Sequence, residues 1–317
     1  MSETQPQIPA PVTTDFPSSQ PQDWRQPKIG SRWQHRFFYG LIRIGGKTRA
    51  IHISWIVTFW YVLFYPSIRR RCRFYLDRRF PERRGVVRKF FDAYRLVRTY
   101  GETLVDMMVL SILGPKSLAA ISPNHERLRA LASDERGFVL LQAHAGCWQV
   151  GMSTLGEFAK HISIVMIPEP KTLALFDKQV AEVIDPRTGL PGVMLMTQAL
   201  LRGDVVTMMG DRTFGDEQNT VKAQFLGGEI ALPITPYRLA SSTGVPIVVM
   251  MAPKTSKRTY EMRLVRVIDV PPGLGKNASK YTPYAQQYAD CLEQFVREFP
   301  WQFYNFYDLW SSLPKNV

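Results

Sequence analysis

The chain has 317 residues, 45% of them hydrophobic, and a formal net charge of +13. This is enough for one large α/β domain plus an appendage, and the basic surplus favours phosphate-bearing or acidic partners: nucleic acid, anionic lipid or an acidic carrier protein. The three cysteines, Cys72, Cys147 and Cys291, are far apart and odd in number, which argues against a disulfide framework and for a reducing compartment. Residues 1–31 are polar and rich in Pro, Gln, Ser and Thr. They read as a disordered tail with no secretory leader, because they offer too little apolar surface to offset chain entropy.

Residues 32–84 form the expected membrane-associating segment. Within them, 51–68 (IHISWIVTFWYVLFYPSI) contain no Asp, Glu, Lys or Arg. As a helix this run would extend about 27 Å at ~1.5 Å per residue, close to a hydrocarbon core of ~30 Å. Its Trp, Tyr and Phe residues prefer the headgroup boundary. Arg43, Lys47 and Arg49 precede it, and Arg69, Arg70, Arg71 and Arg73 follow it. A basic collar on both sides fits anionic lipid. The denser cluster after the run places the following domain in the cytosol by the positive-inside rule. A buried core helix is the plain alternative.

The domain itself is expected over 85–317. Residues 85–113 carry Val86, Phe90, Tyr94, Val97, Gly101, Leu104 and Met108 at helical steps, which predicts one long amphipathic helix or a broken pair. From 137 the pattern alternates. Strands are predicted at 137–143, 162–167, 204–209, 220–226, 246–251 and 260–267. Helices are predicted at 148–160, 172–184, 191–202, 235–243 and 282–298. The fold class is therefore α/β: a mixed, largely parallel central sheet flanked by helices, with an N-terminal apolar membrane-anchoring helix.

Two strand ends carry the candidate chemistry. The first strand ends in HAGCWQ, residues 144–149, and the strand at 204–209 ends in Gly210-Asp211-Arg212. Polar residues delivered at the carboxyl ends of two strands suggest one shared site. His144 suits a general base, because a neutral imidazole works near pH 7. Gln149 can orient its ring by accepting from the N–H, without the charge stabilisation a carboxylate would add. Glu157 and Asp211 are the carboxylates that could supply that charge instead. Arg212 suits a phosphate through its planar fork. Cys147, three residues after His144, raises a covalent acyl-enzyme, although a buried small thiol is the commoner outcome. His35, His52, His125 and His161 are scattered, so neither a metal nor a bound cofactor is expected.

These segments resemble the lysophospholipid acyltransferase superfamily, and within it the late acyltransferases of lipid A synthesis. The match runs from about residue 35 to the end. It rests on HAGCWQ, on GDVVTMMGDRTFG, on QFLGGEIALPITPYRLASSTGVPIVV and on the aromatic close PWQFYNFYDLW. The family's His-x4-acid pattern has Glu or Asp where this chain has Gln149. The resemblance implies transfer of a fatty acyl group from an acyl carrier protein or coenzyme A thioester, as co-substrate, to a glycolipid or lysolipid hydroxyl or amine. It implies a location at the cell inner membrane. It also implies His144 and Gln149 as catalytic, and Gly210, Asp211, Arg212, Arg187 and Gly227 as substrate-binding. A lipid-binding member that lost catalysis with its acid is the alternative. Nucleic acid is not an expected partner, since no readout motif is present.

Overall fold

The computed structural model describes residues 32–114, 117–150, 160–168, 181–213 and 219–310. Three helices come first: α1 (Arg32–Phe64), α2 (Pro66–Arg79) and α3 (Val86–Leu113). α1 is kinked at Gly46, whose φ is 73°. It stops before Pro66, which lacks the N–H needed to continue it and instead opens α2. α1 and α3 lie close: a Cβ at Gly101 would stand 2.9 Å from the Thr58 methyl.

No single helix among the described residues is long and apolar enough to cross a membrane. Arg36–Phe64 and Pro66–Arg79 pass that test only together, bent by 95°. The uninterrupted helix expected over 51–68 is therefore two helices meeting at Tyr65. Val62, Ile68, Cys72, Tyr75 and Leu76 are buried in the same core as the sheet.

The rest of the described chain is built around a six-stranded sheet. In chain order its elements are β1 (Ala119–Ile121), α4 (His125–Ser133), β2 (Phe138–Gln142), β3 (Ile162–Val165), β4 (Ala181–Ile184), α5 (Leu190–Leu201) and β5 (Val205–Met209). Then come β6 (Thr220–Phe225), β7 (Gly228–Pro233), α6 (Thr235–Thr243), β8 (Ile247–Met251), β9 (Thr259–Glu261), β10 (Arg263–Ile268) and α7 (Thr282–Glu298). The order is β10-β8-β2-β5-β3-β4. Only the β10–β8 pairing is antiparallel. β2 and β8 are buried along their whole length, as continuous apolar runs in a sheet covered on both faces should be.

Two expectations about the strands need correction. Residues 181–184 form a strand, β4, paired with β3 in parallel, where a helix was expected; the rest of that helix, 172–180, lies outside the described residues, as does most of 148–160. The strand expected at 260–267 is two, because β9 pairs with β1 while β10 joins the main sheet. The segment after β6 folds back as the hairpin strand β7.

Candidate active site

The sheet register brings the two strand ends together. Gln142 of β2 pairs with Met209 of β5. Two residues beyond each, His144 and Asp211 meet: the ring Nδ1 lies 2.9 Å from Oδ1 and 3.2 Å from Oδ2 of the carboxylate. The His144 backbone N–H also donates to Oδ2 at 3.2 Å. The Asp211 side chain is fully buried, whereas that of His144 is 30% exposed. With a carboxylate accepting at Nδ1, the neutral imidazole carries its proton there and presents Nε2 as a proton acceptor.

Burial alone would push the Asp211 carboxyl up, but His144 and then Arg212 overcome it and hold it below the usual carboxylate value. The carboxylate therefore stays charged at neutral pH.

The loop after His144 is held from two sides. Gly146 bridges Ala252, just past β8, and the Cys147 N–H donates to the Ala252 carbonyl at 2.9 Å. Gly146 has φ +67°, and a Cβ there would stand 2.0 Å from the Ala252 oxygen, so only glycine fits. On the other side runs the C-terminal aromatic segment. The Gly146 N–H donates to the Gln302 carbonyl at 2.8 Å, and the Tyr304 N–H donates to the His144 carbonyl at 2.8 Å. The Tyr307 hydroxyl donates to the Asp211 carbonyl at 3.1 Å. Beneath, the Tyr288 hydroxyl donates to the Gln142 carbonyl at 2.9 Å.

Other expected site residues sit differently. Gln149 does not orient His144: its Oε1 lies 3.5 Å from Cys147 Sγ, and Asp211 takes the ring instead. Glu157 lies outside the described residues. Cys147 is fully buried, and burial pushes its thiol up to about 12. A thiol so far from ionisation is a poor nucleophile, which disfavours the covalent route. The Arg212 guanidinium donates to the Tyr304 carbonyl at 2.9 Å and stacks 5.7 Å from the Tyr307 ring centre. It braces the C-terminal segment as well as helping to hold Asp211 ionised.

Gly210 is a packing requirement, since a Cβ there would come within 2.7 Å of the Tyr288 ring. Arg187 forms its ion pair with Asp185 at 2.5 Å, on the short helical turn before α5, and the structure gives it no contact with His144. Gly227 and Leu226, with φ of 74° and 49°, make the two-residue turn between β6 and β7. Gly227 thus serves a hairpin, with no side chain of its own to meet a substrate.

A mostly apolar cavity of about 740 Å³ opens beside the site, lined by Leu190, Val193, Met196, Met209, Thr213 and Leu239 among others. His144 and Asp211 do not line it. Met209 and Thr213, two residues to either side of Asp211, do. Its volume is in the range of small-ligand pockets.

Sequence reasoning singled out the aromatic close without giving its Tyr304, Tyr307 or Gln302 a place at the site, and missed Tyr288 altogether. The density of the aromatic close was the available signal for the first two. No local pattern marks the others, because the site backbone each one holds, Gly146 for Gln302 and Gln142 for Tyr288, lies more than a hundred residues away.

No curated protein matches the chain closely enough to count as a relative. A family model does match, over residues 20–312: that of the bacterial lipid A biosynthesis acyltransferases. The match takes in α1 to α7, the HAGCWQ turn and the GDR strand end, and it implies an enzyme that acylates a lipid. By this near-complete coverage, the chain belongs to the bacterial lipid A biosynthesis acyltransferase family.

Proposed function

We propose that this acyltransferase moves a fatty acyl group from an acyl carrier protein or CoA thioester to a hydroxyl or amine of a glycolipid or lysolipid, with His144 as general base and Asp211 as the carboxylate that orients it. The 2.9 Å contact between His144 Nδ1 and a fully buried carboxylate carries this reading. Nε2 takes the proton of the acceptor as its oxygen or nitrogen attacks the thioester carbonyl carbon. The tetrahedral adduct then collapses, the C–S bond breaks, and the thiolate leaves with the proton from Nε2. Asp211 keeps its charge throughout and stabilises the transient imidazolium. The apolar cavity beside Met209 and Thr213 suits a fatty chain.

Membrane attachment at the cytosolic face of the inner membrane completes the proposal. Ile56, Trp60, Phe64, Tyr65 and Phe91 are exposed. Phe59 links the α1 patch to α3 through ring contacts with Phe90 at 5.9 Å and Tyr94 at 5.5 Å. Arg70, Arg73, Arg84 and Arg88 are exposed nearby in sequence. Apolar aromatics beside arginines suit the interface of an anionic bilayer. The 95° bend between α1 and α2 favours an interfacial or re-entrant seat over a straight crossing.

The test is transfer of radiolabel from acyl carrier protein or CoA thioesters into a lipid extract by the purified enzyme. Label should enter lipid with wild type and fall on the order of a thousandfold with His144→Ala. Undiminished transfer by His144→Ala would remove the imidazole from the mechanism.

A further inference from the structure

We infer that α5 is a second bilayer contact: a helix lying flat in the lipid surface, at which the cavity opens into the acyl layer. The inference rests on the lipid-acylating reading above. The sequence of α5, LPGVMLMTQALL, contains no charged residue. Its inner side, Met196, Ala199 and Leu200, is buried. A surface helix ordinarily turns polar residues outward. α5 does so at Gln198 alone among its exposed residues, and exposes Leu190 (72%), Met194 (54%) and Leu201 (68%). Such an outer face marks contact with something apolar.

The cavity decides what that is. Leu190 and Val193 line it and are also exposed at the surface. The apolar outer face and the apolar interior are thus continuous at the start of α5. An acyl chain leaving a bilayer would pass from lipid to cavity at these two residues without crossing water.

Geometry decides how the helix sits. Twelve residues extend about 18 Å at ~1.5 Å per residue, well short of a ~30 Å hydrocarbon core. α5 therefore lies in the plane of the surface. Arg187 and Arg202, with side chains 50% and 55% exposed, bracket it where headgroups would be, each also paired with an aspartate. Long arginine stems of this kind keep their charge at the headgroup layer while apolar neighbours go deeper.

The experiment uses the full chain and vesicles of phosphatidylethanolamine and phosphatidylglycerol. Met194 is on the outer face and does not line the cavity. All three native cysteines are buried. A nitroxide on Met194→Cys should, on adding vesicles, gain exposure to dissolved oxygen and lose exposure to a water-soluble nickel chelate. In parallel, Met194→Glu should acylate a detergent-dispersed acceptor as wild type does, yet lose at least about tenfold of its rate on the same acceptor in vesicles, a factor that corresponds to ~1.4 kcal/mol. A label that stays in water on vesicle-bound protein, or equal rates for Met194→Glu and wild type in vesicles, would overturn the inference. If wild type acylates nothing in either medium, the acyltransfer reading fails instead, and the nitroxide result still decides the position of α5.

Discussion

Asp211 keeps an ionised side chain with none of its surface in water, a state that survives only where donors and a compensating charge replace the solvent. The His144 ring and backbone N–H supply those donors, and Arg212 adds its charge. His144 and Asp211 were both visible in the sequence as strand-end polar residues. Their contact was not, because it depends on the Gln142–Met209 register. Gln149 misled for the opposite reason. It occupies the acid position of a local pattern, yet the helical turn that starts at Trp148 sends its amide towards Cys147. Cys147 itself is inert by burial. Cys147→Ala should keep acyl transfer within about threefold of wild type, a change of well under 1.4 kcal/mol. A loss of a hundredfold or more in the same radiolabel assay would restore the thiol to the chemistry.

One joint between the N-terminal helices and the sheet domain is a buried carboxylate. Asp106 of α3 meets Lys47 of α1 at 2.7 Å and Lys254, just beyond β8, also at 2.7 Å. The Tyr260 hydroxyl donates to it at 2.6 Å. Lys254 lies two residues from the Ala252 carbonyl that holds Cys147. Removing Asp106 would leave Lys47 with the Lys257 carbonyl and Lys254 with Glu102 at 3.5 Å, both with little access to water and without their shortest ion pair. Asp106→Ala should therefore lower unfolding stability by about 3–5 kcal/mol in denaturant titrations. A change below ~1 kcal/mol would show that the cluster is not a structural joint. Elements with strong periodicity were legible: α6 and α7 fall where the sequence predicts them. Elements defined by remote pairing were not. The four residues of β4 have no alternating pattern and become a strand only by pairing with β3. Likewise, the expected 260–267 strand divides at Met262, whose N–H donates to the Ile121 carbonyl of β1. The basic collar is also partly structural. Arg69 donates to the Val62 carbonyl and, at 2.8 Å, to the Leu63 carbonyl, capping α1. Arg79 caps α7 by donating to the Val296 carbonyl at 2.9 Å.

Across the whole molecule, one largely parallel sheet sets His144 and Asp211 side by side at adjacent strand ends, and the aromatic segment after α7 locks them. Among the described residues, exposed apolar side chains run along α1 and α3 and along α5, and the latter adjoins the cavity. Composition showed the basic surplus but not which arginines are spent on helix caps and ion pairs. The account rests on His144 and Asp211 acting as one unit, and a double-mutant cycle measures that directly. Rates of acyl transfer would be compared for wild type, His144→Ala, Asp211→Asn and the double variant. Asp211→Asn alone should cost on the order of 10²–10⁴-fold, and should cost almost nothing further once His144 is gone. Losses that simply multiply, or an Asp211→Asn enzyme as fast as wild type, would contradict the pairing.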